Sequence, residues 1–386
     1  MEGIKKLSKE NFEQIISLSQ FAFQYTLSDE QRMVKKEETE RHSILGYMVD
    51  GALAGKLHII PLDVYINGTV YQMGGIASVA TWPEFRRQGI AKKLLLQALK
   101  EMKQAGQTIS ILDPFHVGFY RKYGWELSFM NQRYTIPIGK LKEDWNGNGY
   151  IRRTDDISLL DSIYKKYAKQ YNGMLKRNEK WWEQRVLSDE VAQIRVAYHE
   201  TGHPEGYIIY KVRDEVFTVI EMAYTSLNGM YLLYEFIGNH DSMAKEVKMI
   251  VPENDLLPYK LKDPFFKQEK ETFAMARIVD VYNFLKDYPF TEAEGSVHIL
   301  IEDESFPENS AGYHIQTQSG KTVVTKVKGL RNGDINCTIQ QFTSICFGFK
   351  RPQELFAHHL VDGKVSAIEQ LEKMIPQKQT FLTDFF

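Results

Sequence analysis

The sequence predicts an α/β protein with an added α+β unit, organised as two mixed-sheet domains and a smaller third domain. Three observations support this fold class. A strand, a loop and an amphipathic helix run from Gly74 to Lys103, and another strand follows. The same order of strand, helix and strand returns from Phe217 to Val251, and from about Ala293 short alternating strands precede helices. We place the domains at residues 1–145, 146–290 and 291–386, since 386 residues exceed one ordinary core.

The joint between strand and helix in the first domain is a candidate phosphate site. Apolar residues recur along the helix at three- and four-residue steps, which gives it one apolar face. A helix N-terminus carries free N–H groups and partial positive charge, and a glycine turn with basic neighbours prepares it for an anion. The residues of this joint are Arg86, Arg87, Gln88, Gly89, Ile90, Ala91 and Lys92. Any amphipathic helix with a basic start shows a similar pattern, so a solvated helix end remains the alternative.

Composition restricts the partners and the compartment. The chain has 48 basic and 50 acidic residues and a net charge of -2, which indicates neither a nucleic-acid nor a membrane partner. Cys337 and Cys346 lack the spacing of a zinc site or a disulfide framework, so we expect no metal. The start of the chain has no apolar core of signal-peptide length, and no run approaches the roughly 20 apolar residues of a bilayer span. We therefore expect a cytoplasmic protein.

The segments before the joint complete the first domain. We expect a helix from Lys9 to Gln24 and then an acidic, mobile segment from Asp29 to Glu40. Strands are predicted at Ser43 to Val49, Gly55 to Pro61 and Asp63 to Met73. The aromatic end of the helix and the acidic segment suit a wall for a cationic amine, and they suit equally a packed helix end beside a solvated loop.

An aromatic turn, FYRKYGW from Phe119 to Trp125, follows the next predicted strand, Thr108 to Leu112. Tyr120 in this turn carries a phenol, and a phenol with a pKa near 10 is one of the groups that can act as a general acid. A tyrosine in an aromatic-rich turn also serves packing alone. These residues by themselves leave both interpretations open.

The second domain repeats the core without the basic joint. The corresponding residues, Thr225 to Met230, contain no arginine, which predicts that this copy has lost the phosphate site. His199 and His203 match the letters of the H-E-x-x-H zinc pattern, which requires a helix. Gly202 and Pro204 place them between two predicted strands, so we interpret them as turn histidines.

The loop and the aromatic turn together resemble the GNAT acetyltransferase superfamily. Arg86, Gly89 and Ala91 fill its Arg-x-x-Gly-x-Ala pattern, and the aromatic turn resembles the motif that follows its fifth strand. The resemblance implies that acetyl-CoA binds as a cosubstrate and that Tyr120 protonates the departing CoA thiolate. The residues that it implies for acetyl-CoA are the seven of the joint together with Val79, Ala80 and Thr81 of the strand, where an N–H near Val79 polarises the thioester carbonyl.

In order and length the whole chain resembles the enhanced intracellular survival (Eis) type of GNAT protein, with tandem GNAT domains and a sterol-carrier-protein-like C-terminal domain. In that family the terminal carboxylate of a C-terminal phenylalanine serves as general base, which implies this role for Phe386. The resemblance also implies a homo-oligomer, with a hexamer as the family assembly. Asp384 and Phe385 differ from the pattern of aminoglycoside-acetylating members, which argues against aminoglycosides as the natural substrate. A frayed terminus is the alternative for this tail.

These features predict an acetyl-CoA-dependent N-acetyltransferase acting on a primary amine of a small polyamine-like molecule, an aminoglycoside-like compound or a lysine. The amine attacks the thioester directly, without a covalent enzyme intermediate. One alternative is a lipid or hydrophobic-ligand binding protein with a vestigial CoA site, and another is an acyltransferase that uses a longer acyl-CoA. The sequence does not distinguish the acceptor amine or the acyl chain length.

Overall fold

The chain forms three mixed sheets with helices packed on them, in a computed structural model that describes residues 2–327, 329 and 332–386. The strands are β1 (Gly3–Leu7), β2 (Ser43–Val49), β3 (Ala52–Ile66), β4 (Thr69–Thr81), β5 (Ile109–Leu112), β6 (Glu126–Leu127), β7 (Met130–Pro137), β8 (Gly149–Arg153), β9 (Gln193–His199), β10 (Pro204–Arg213), β11 (Val216–Tyr224), β12 (Glu246–Val251), β13 (Lys267–Thr272), β14 (Met275–Ile278), β15 (Gly295–Glu302), β16 (Ala311–Gln318), β17 (Lys321–Val327), β18 (Ile335–Thr338) and β19 (Asp362–Gly363). The helices are α1 (Phe12–Phe23), α2 (Asp29–Glu40), α3 (Ile90–Gln104), α4 (Val117–Arg121), α5 (Ile157–Ala168), α6 (Glu179–Trp181), α7 (Leu227–Gly238), α8 (Leu257–Lys260), α9 (Val281–Lys286), α10 (Ile339–Cys346), α11 (Pro352–Ala357) and α12 (Val365–Met374).

The first sheet carries the predicted phosphate-binding joint. Its strand order is β1-β2-β3-β4-β5-β14-β6. Strands β3 and β4 form a hairpin around Asn67 and Gly68, whose φ angles of 49° and 82° are those that such a tight turn requires. Strands β4 and β5 are parallel, and α3 crosses between them. The predicted apolar face of α3 packs on one side of this sheet, with Leu94, Leu99 and Met102 fully buried.

Strand β3 is longer than the sequence predicts. The strands expected at Gly55 to Pro61 and Asp63 to Met73 have the wrong bounds, because β3 runs from Ala52 to Ile66 through Pro61. Pairing of β3 with β2 ends at Ile59, so no β2 acceptor requires the N–H that Pro61 lacks. Proline therefore does not interrupt the strand at this position.

The acidic segment predicted to be mobile is helix α2, and that prediction is wrong. Ser28 and Gln31 form a capping box, in which each side chain accepts a hydrogen bond from the other residue's backbone N–H. Glu38 is 4% exposed and forms ion pairs with Lys35 at 2.7 Å and Arg185 at 3.2 Å. Arg185 belongs to the segment after α6, far from α2 in the sequence. The ion pairs that hold α2 in place therefore could not be predicted from the sequence around α2.

The second sheet repeats the predicted core. Its strand order is β13-β7-β12-β11-β10-β9-β8, with β10 and β11 antiparallel and α7 crossing to the parallel strand β12. The two sheets also exchange strands: β7 lies in the second sheet, whereas β14 pairs with β5 and β6 of the first. The predicted boundaries at 145/146 and 290/291 stay predictions.

The third sheet, β17-β16-β15-β18-β19, shares a core with the first. One apolar cluster contains Ile111 of β5, Ala276 of β14, Ile299 of β15 and Phe342 of α10. This packing of strands followed by helices agrees with the predicted α+β unit. In the described part of the chain, no helix is both long enough and apolar enough to cross a bilayer.

Candidate active site

The first sheet opens beside the second half of β4. Strand β4 pairs with β5 from Met73 to Ile76, where β5 ends, yet β4 itself continues to Thr81. Residues 77–81 therefore have no β5 backbone on that side, and Ser78 and Val79 are half-exposed in the gap. Unpaired strand backbone of this kind can hydrogen-bond an extended ligand.

A β-bulge lies in this gap. The register between β3 and β4 shifts between Lys56, which pairs with Ala80, and His58, which pairs with Ala77. Ser78 and Val79 therefore have no residue directly opposite, and Ser78 adopts a left-handed φ of 53°. The bulge takes the backbone of Val79 out of the β3 register, at the residue predicted to polarise a carbonyl.

The predicted joint is an open helix N-terminus. Arg87 and Gly89 have φ angles of 63° and 78°. A Cβ at Gly89 would meet no atom within 4 Å, so glycine is needed there for its backbone angle and not for space. Helix α3 begins at Ile90 without a side-chain cap, and among the described residues the N–H groups of Arg87, Gln88 and Gly89 have no acceptor. This arrangement offers several adjacent donors to an anion.

The side chains at the joint divide by exposure. Arg86, Arg87, Gln88 and Lys92 are exposed, and Arg86 Nε donates to the carbonyl of Thr81 at 3.2 Å. Two other predicted residues are packing residues in the free protein, since Ala80 and Ile90 are 6% and 3% exposed. Ala91 is half-buried. The exposed arginines and the lysine give the open helix end a positive surface.

The corresponding helix end of the second domain is closed. Ser226 caps α7 by accepting from the N–H of Gly229 at 2.9 Å. The carboxylate of Glu205 lies at the same helix end, where it accepts from the side chain of Asn228 at 2.5 Å. A fixed negative charge opposes an incoming phosphate, so this geometry agrees with the predicted loss of CoA binding.

Tyr120 lies in α4, directly beyond the end of β5. Its side chain is 3% exposed, and it contacts the rings of Phe115 and Phe119. Burial, with a smaller contribution from the charge of Asp113, raises the pKa of Tyr120 far above its usual value. The phenol is therefore protonated at neutral pH, and its hydroxyl has no hydrogen-bond partner among the described residues. It can serve as a proton donor.

Gly124, the glycine of the aromatic turn, lies where no larger residue fits. Gly124 has a φ of 88°, and a Cβ there would lie 1.5 Å from a guanidinium nitrogen of Arg277. Arg277 is fully buried, donates to the carbonyl of Tyr123 and forms an ion pair with Asp303. The turn is thus fixed to β14 and to the loop that follows β15.

Two adjacent glycines in β4 serve opposite faces of the sheet. A Cβ at Gly74 would lie 2.3 Å from the sulfur of Met102 in α3. A Cβ at Gly75 would lie 2.7 Å from the ring of Phe386. Successive strand residues point to opposite faces, so Gly74 admits the helix and Gly75 admits the end of the chain. The last residue therefore lies on the first sheet, one position before the pairing of β4 with β5 ends.

A buried charge network holds this tail. Asp384 is 5% exposed and accepts from Nε of Arg177 at 3.0 Å and from the indole N–H of Trp181 at 2.7 Å. The same guanidinium donates two hydrogen bonds to Glu221 of β11, at 2.8 and 2.5 Å. Phe386 also packs near Trp181, with ring centroids 6.3 Å apart. The second domain thus positions the C-terminus on the first.

Asp384 and Glu221 both contact the Arg177 guanidinium, yet their pKa values shift in opposite directions. Burial raises the pKa of Asp384 above its usual value, and Arg177 offsets this in part. Burial also acts to raise the pKa of Glu221. The positive charge of Arg177 and the hydrogen bonds that it donates outweigh burial, so the pKa of Glu221 is lowered. Glu221 is therefore the firmer anionic partner, whereas Asp384 takes up a proton more readily.

Two cavities border Leu62 and Trp181, which lie close to Phe386. One of about 80 Å³ is lined by Glu38, His42, Leu62 and Trp181 among others. A larger one of about 410 Å³ also borders Leu62 and Trp181.

Phe21 and Phe23, predicted as part of an amine wall or as packing, are 48% and 51% exposed. The His-Glu-x-x-His letters form the turn between β9 and β10, and the described residues contain no group of three potential metal ligands.

Comparisons with known families agree with this geometry. A model of an acetyltransferase (GNAT) domain matches residues 3–128, a second GNAT acetyltransferase model matches residues 173–278, and a sterol carrier protein domain model matches residues 281–383. The chain belongs to the GNAT superfamily, in the Eis-type arrangement. The predicted fold class of two GNAT-like domains and a sterol-carrier-protein-like domain is thus confirmed.

Individual relatives are distant in sequence and close in fold. The N-acetyltransferase Eis of Mycobacterium bovis is 22% identical over 55% of this GNAT chain, and the alignment spans 58% of that relative's length. A crystal structure of a conserved protein from Enterococcus faecalis, described as a probable N-acyltransferase, is 25% identical, covers both chains fully and has a TM-score of 0.94. Eis1 from Mycobacterium abscessus has a TM-score of 0.82 at 21% identity, over 99% of this chain and 100% of its own.

The sequence analysis named the joint, Tyr120 and Phe386 as candidates, but it did not identify the residues that hold the tail on the first sheet. Gly75 was visible only as one of a glycine pair inside a strand. Arg177 and Glu221 gave no local signal, because their importance depends on burial beside a tail more than 160 positions away. The one available sign was Asp384, an isolated acid in an otherwise aromatic and polar tail.

Proposed function

We propose that this chain is an acetyl-CoA-dependent N-acetyltransferase acting on a primary amine. The observation that carries the proposal is the position of Phe386, whose ring packs on Gly75 beside the open end of β4. Phe386 therefore lies on the sheet that carries the unpaired β4 backbone and the open N-terminus of α3. Membership in the GNAT superfamily supports the choice of acyl transfer.

The residues of the first domain fit acetyl-CoA. Arg86, Arg87 and the free N–H groups of the joint would hold the pyrophosphate, because they combine positive charge with aligned donors. The unpaired backbone of residues 77–81 would hold the extended arm of the cosubstrate. Acetyl-CoA supplies the activated thioester, and the chemistry requires no metal from the protein.

Three groups would divide the proton and charge transfers. The Phe386 carboxylate removes a proton from the amine, which must be neutral to attack. The N–H of Val79 stabilises negative charge as it develops on the carbonyl oxygen. Tyr120 protonates the sulfur of the leaving group, a role that suits a buried phenol kept in its protonated form.

The acceptor is proposed to be a small polyamine-like molecule or a lysine side chain. Asp384 points inward to Arg177 and Trp181, so this carboxylate is not available to bind an amine. An acidic tail residue therefore gives no support to large polycationic acceptors, and an aminoglycoside-like compound remains the weaker candidate. The cavity beside Trp181 and His42 is the proposed amine site.

The test is CoA release with a panel of primary amines. We expect turnover in the wild type, a large fall in kcat for Tyr120→Phe, and a comparable fall when the chain is extended beyond Phe386. Tyr123→Phe, in the same turn, and an equal extension at the N-terminus are the matched controls. Unchanged turnover in both test variants would exclude the proposed mechanism, and absence of acetyl-CoA binding by calorimetry would exclude the function.

The alternative of a lipid-binding protein has less support. The apolar side chains of the third sheet and its helices form one cluster with the first sheet, so they are used in packing between domains. Lipid retained by the purified protein, together with no acetyl-CoA binding, would reverse this preference. A homo-oligomer, with the hexamer as the expected size, and a cytoplasmic location belong to the same proposal; light scattering and cell fractionation test them.

A further inference from the structure

A row of polar side chains, in which Lys56 and His58 are buried, begins at the β-bulge and ends at a surface cavity. Lys56 Nζ donates to the carbonyl of Ser78 at 3.1 Å and to its hydroxyl at 2.6 Å. It also lies 3.4 Å from Nε2 of His58, and Nδ1 of His58 lies 3.3 Å from Nδ1 of His42. These contacts connect the gap beside β4 with His42, without a break in hydrogen-bonding distance.

This row of polar side chains lies on the same face of the sheet as Phe386. His58 and Ile60 of β3 stand opposite Ala77 and Gly75 of β4, and directly paired residues point to the same side. Ser78 is three residues from Gly75, which at about 3.3 Å per residue is roughly 10 Å along the strand. Ser78 is half-exposed in the open gap, so solvent reaches it, and a chain of about three waters would span this distance.

Lys56 is placed unusually for a lysine. Its side chain is fully buried, and it forms no ion pair with any described carboxylate. Burial lowers the pKa of Lys56 to about 7, so the amine and the ammonium are both populated near neutral pH. Its three contacts suit either state: the ammonium donates to His58 Nε2, and the neutral amine can accept from it.

The two histidines can pass a proton from one ring nitrogen to the other. His58 is buried, and burial lowers its pKa well below the usual value, followed by the charges of Lys56, His42 and Lys35. Burial lowers the pKa of His42 to about 4; Glu38 opposes this shift, and Arg185, Lys35 and Arg41 add to it. Both imidazoles are therefore neutral at pH 7, with one donor and one acceptor nitrogen each.

His42 is the outer end of this row of polar side chains. It lines the cavity of about 80 Å³ beside Trp181 and a second cavity of about 250 Å³ bordered by Lys9, Phe12 and Glu40. Its side chain is half-buried, and its Nε2 has no partner among the described residues. A proton that reaches His42 can therefore pass to water in the cavity beside Lys9 and Phe12, which is not the proposed amine site.

The proposed reaction produces a proton that must leave this face. An alkylammonium and acetyl-CoA give an amide, CoA thiol and one free proton, since the ammonium nitrogen loses two protons and the departing thiolate takes up one. We propose that Lys56, His58 and His42 form a relay that carries this proton from Ser78 to solvent. The inference rests on the proposed N-acetyltransferase function and adds an exit route for the proton that the Phe386 carboxylate removes.

Each transfer in the relay balances. The neutral amine of Lys56 takes a proton from the Ser78 hydroxyl as that hydroxyl receives one through water from the Phe386 side. Lys56 then gives a proton to Nε2 of His58, whose Nδ1 gives its own to Nδ1 of His42. Nε2 of His42 releases a proton to water, so one proton enters and one leaves, with no change of oxidation state.

The decisive variant is His42→Gln, because His42 contacts neither Ser78 nor the bulge. We expect kcat to fall at least tenfold in dilute buffer, with an unchanged KM for acetyl-CoA, and to recover when imidazole is added. Lys56→Met should lose the same step without recovery, since imidazole cannot reach its buried site. His203→Gln, in the exposed turn of the second domain, is the matched control and should behave as the wild type.

The outcomes separate the relay from other roles. A His42→Gln enzyme with wild-type kcat in dilute buffer would overturn the relay and leave the N-acetyltransferase function standing. A fall in kcat that imidazole does not restore, in a protein with an unchanged thermal midpoint, would assign His42 a role in the proposed amine site that it lines and would also overturn the relay. A wild type inactive with every amine would overturn the proposed function first and the relay with it.

Discussion

Replacing Asp384 with asparagine tests how the tail is held on the first sheet. The Asp384 carboxylate is buried and accepts from Arg177 and Trp181, while its neighbour Phe385 is 63% exposed. Asp384→Asn keeps the shape and removes the charge. Breaking a buried ion pair costs about 3–5 kcal/mol, and we take about 3 because Arg177 retains Glu221. That corresponds to about a hundredfold weaker docking of the tail.

We therefore expect kcat/KM for acetyl transfer to fall by about 30- to 100-fold in Asp384→Asn, since an undocked tail removes the proposed general base, the Phe386 carboxylate. Carboxypeptidase should trim the variant faster than the wild type. Phe385→Ala is the control and should change neither quantity. Because burial raises the pKa of Asp384 in the docked tail, protonation favours docking, and the wild-type tail should resist carboxypeptidase at least as well when the pH falls.

The reasoning would be refuted by an Asp384→Asn protein whose kcat/KM stays within threefold of the wild type and whose tail resists carboxypeptidase equally well. A fall in activity with unchanged resistance would also contradict it, because the effect would then not arise from docking. Mass spectrometry of the trimmed chain identifies which residues have been removed.

Three further substitutions test separate parts of the site. Tyr120→Phe should lower kcat by about 10²- to 10⁴-fold with little change in KM, measured by CoA release; an alkaline loss of wild-type activity below pH 10 would contradict a donor whose pKa is raised. Gly89→Ala should weaken acetyl-CoA binding about tenfold in calorimetry, because φ of 78° costs about 1–2 kcal/mol for other residues; equal affinity would show that the joint does not hold the cosubstrate. Lys56→Met should raise the unfolding free energy at pH 7 by on the order of 1–3 kcal/mol, because the unfolded lysine keeps a proton that the folded one loses at about pH 7. The wild type should accordingly gain stability from pH 7 to about 10 in denaturant titrations and the variant should not; parallel pH profiles would contradict this.

The sequence determined the elements that depend on local pattern. The apolar period of α3, the glycine at its N-terminus and the hairpin at Asn67 and Gly68 are all confirmed, because each follows from backbone preferences of a few neighbouring residues. The repeated core of the second domain was predicted in the same way. Helix α2 was not predicted, because its acidic composition is typical of a solvated loop. Its capping box and the ion pair of Glu38 with Arg185 stabilise the helix.

Tertiary structure alone decided how distant residues combine into a site. The place of Phe386 on Gly75, the hold of Arg177 on Asp384 and Glu221, and the line from Lys56 through His58 to His42 all join residues that are far apart in the chain or on different elements. These contacts depend on burial, which changes what a charged side chain does: in water each is an ordinary solvated group, and inside the fold it must find a partner or shift its pKa. Local sequence carries no measure of that burial, whereas the folded sheets supply it.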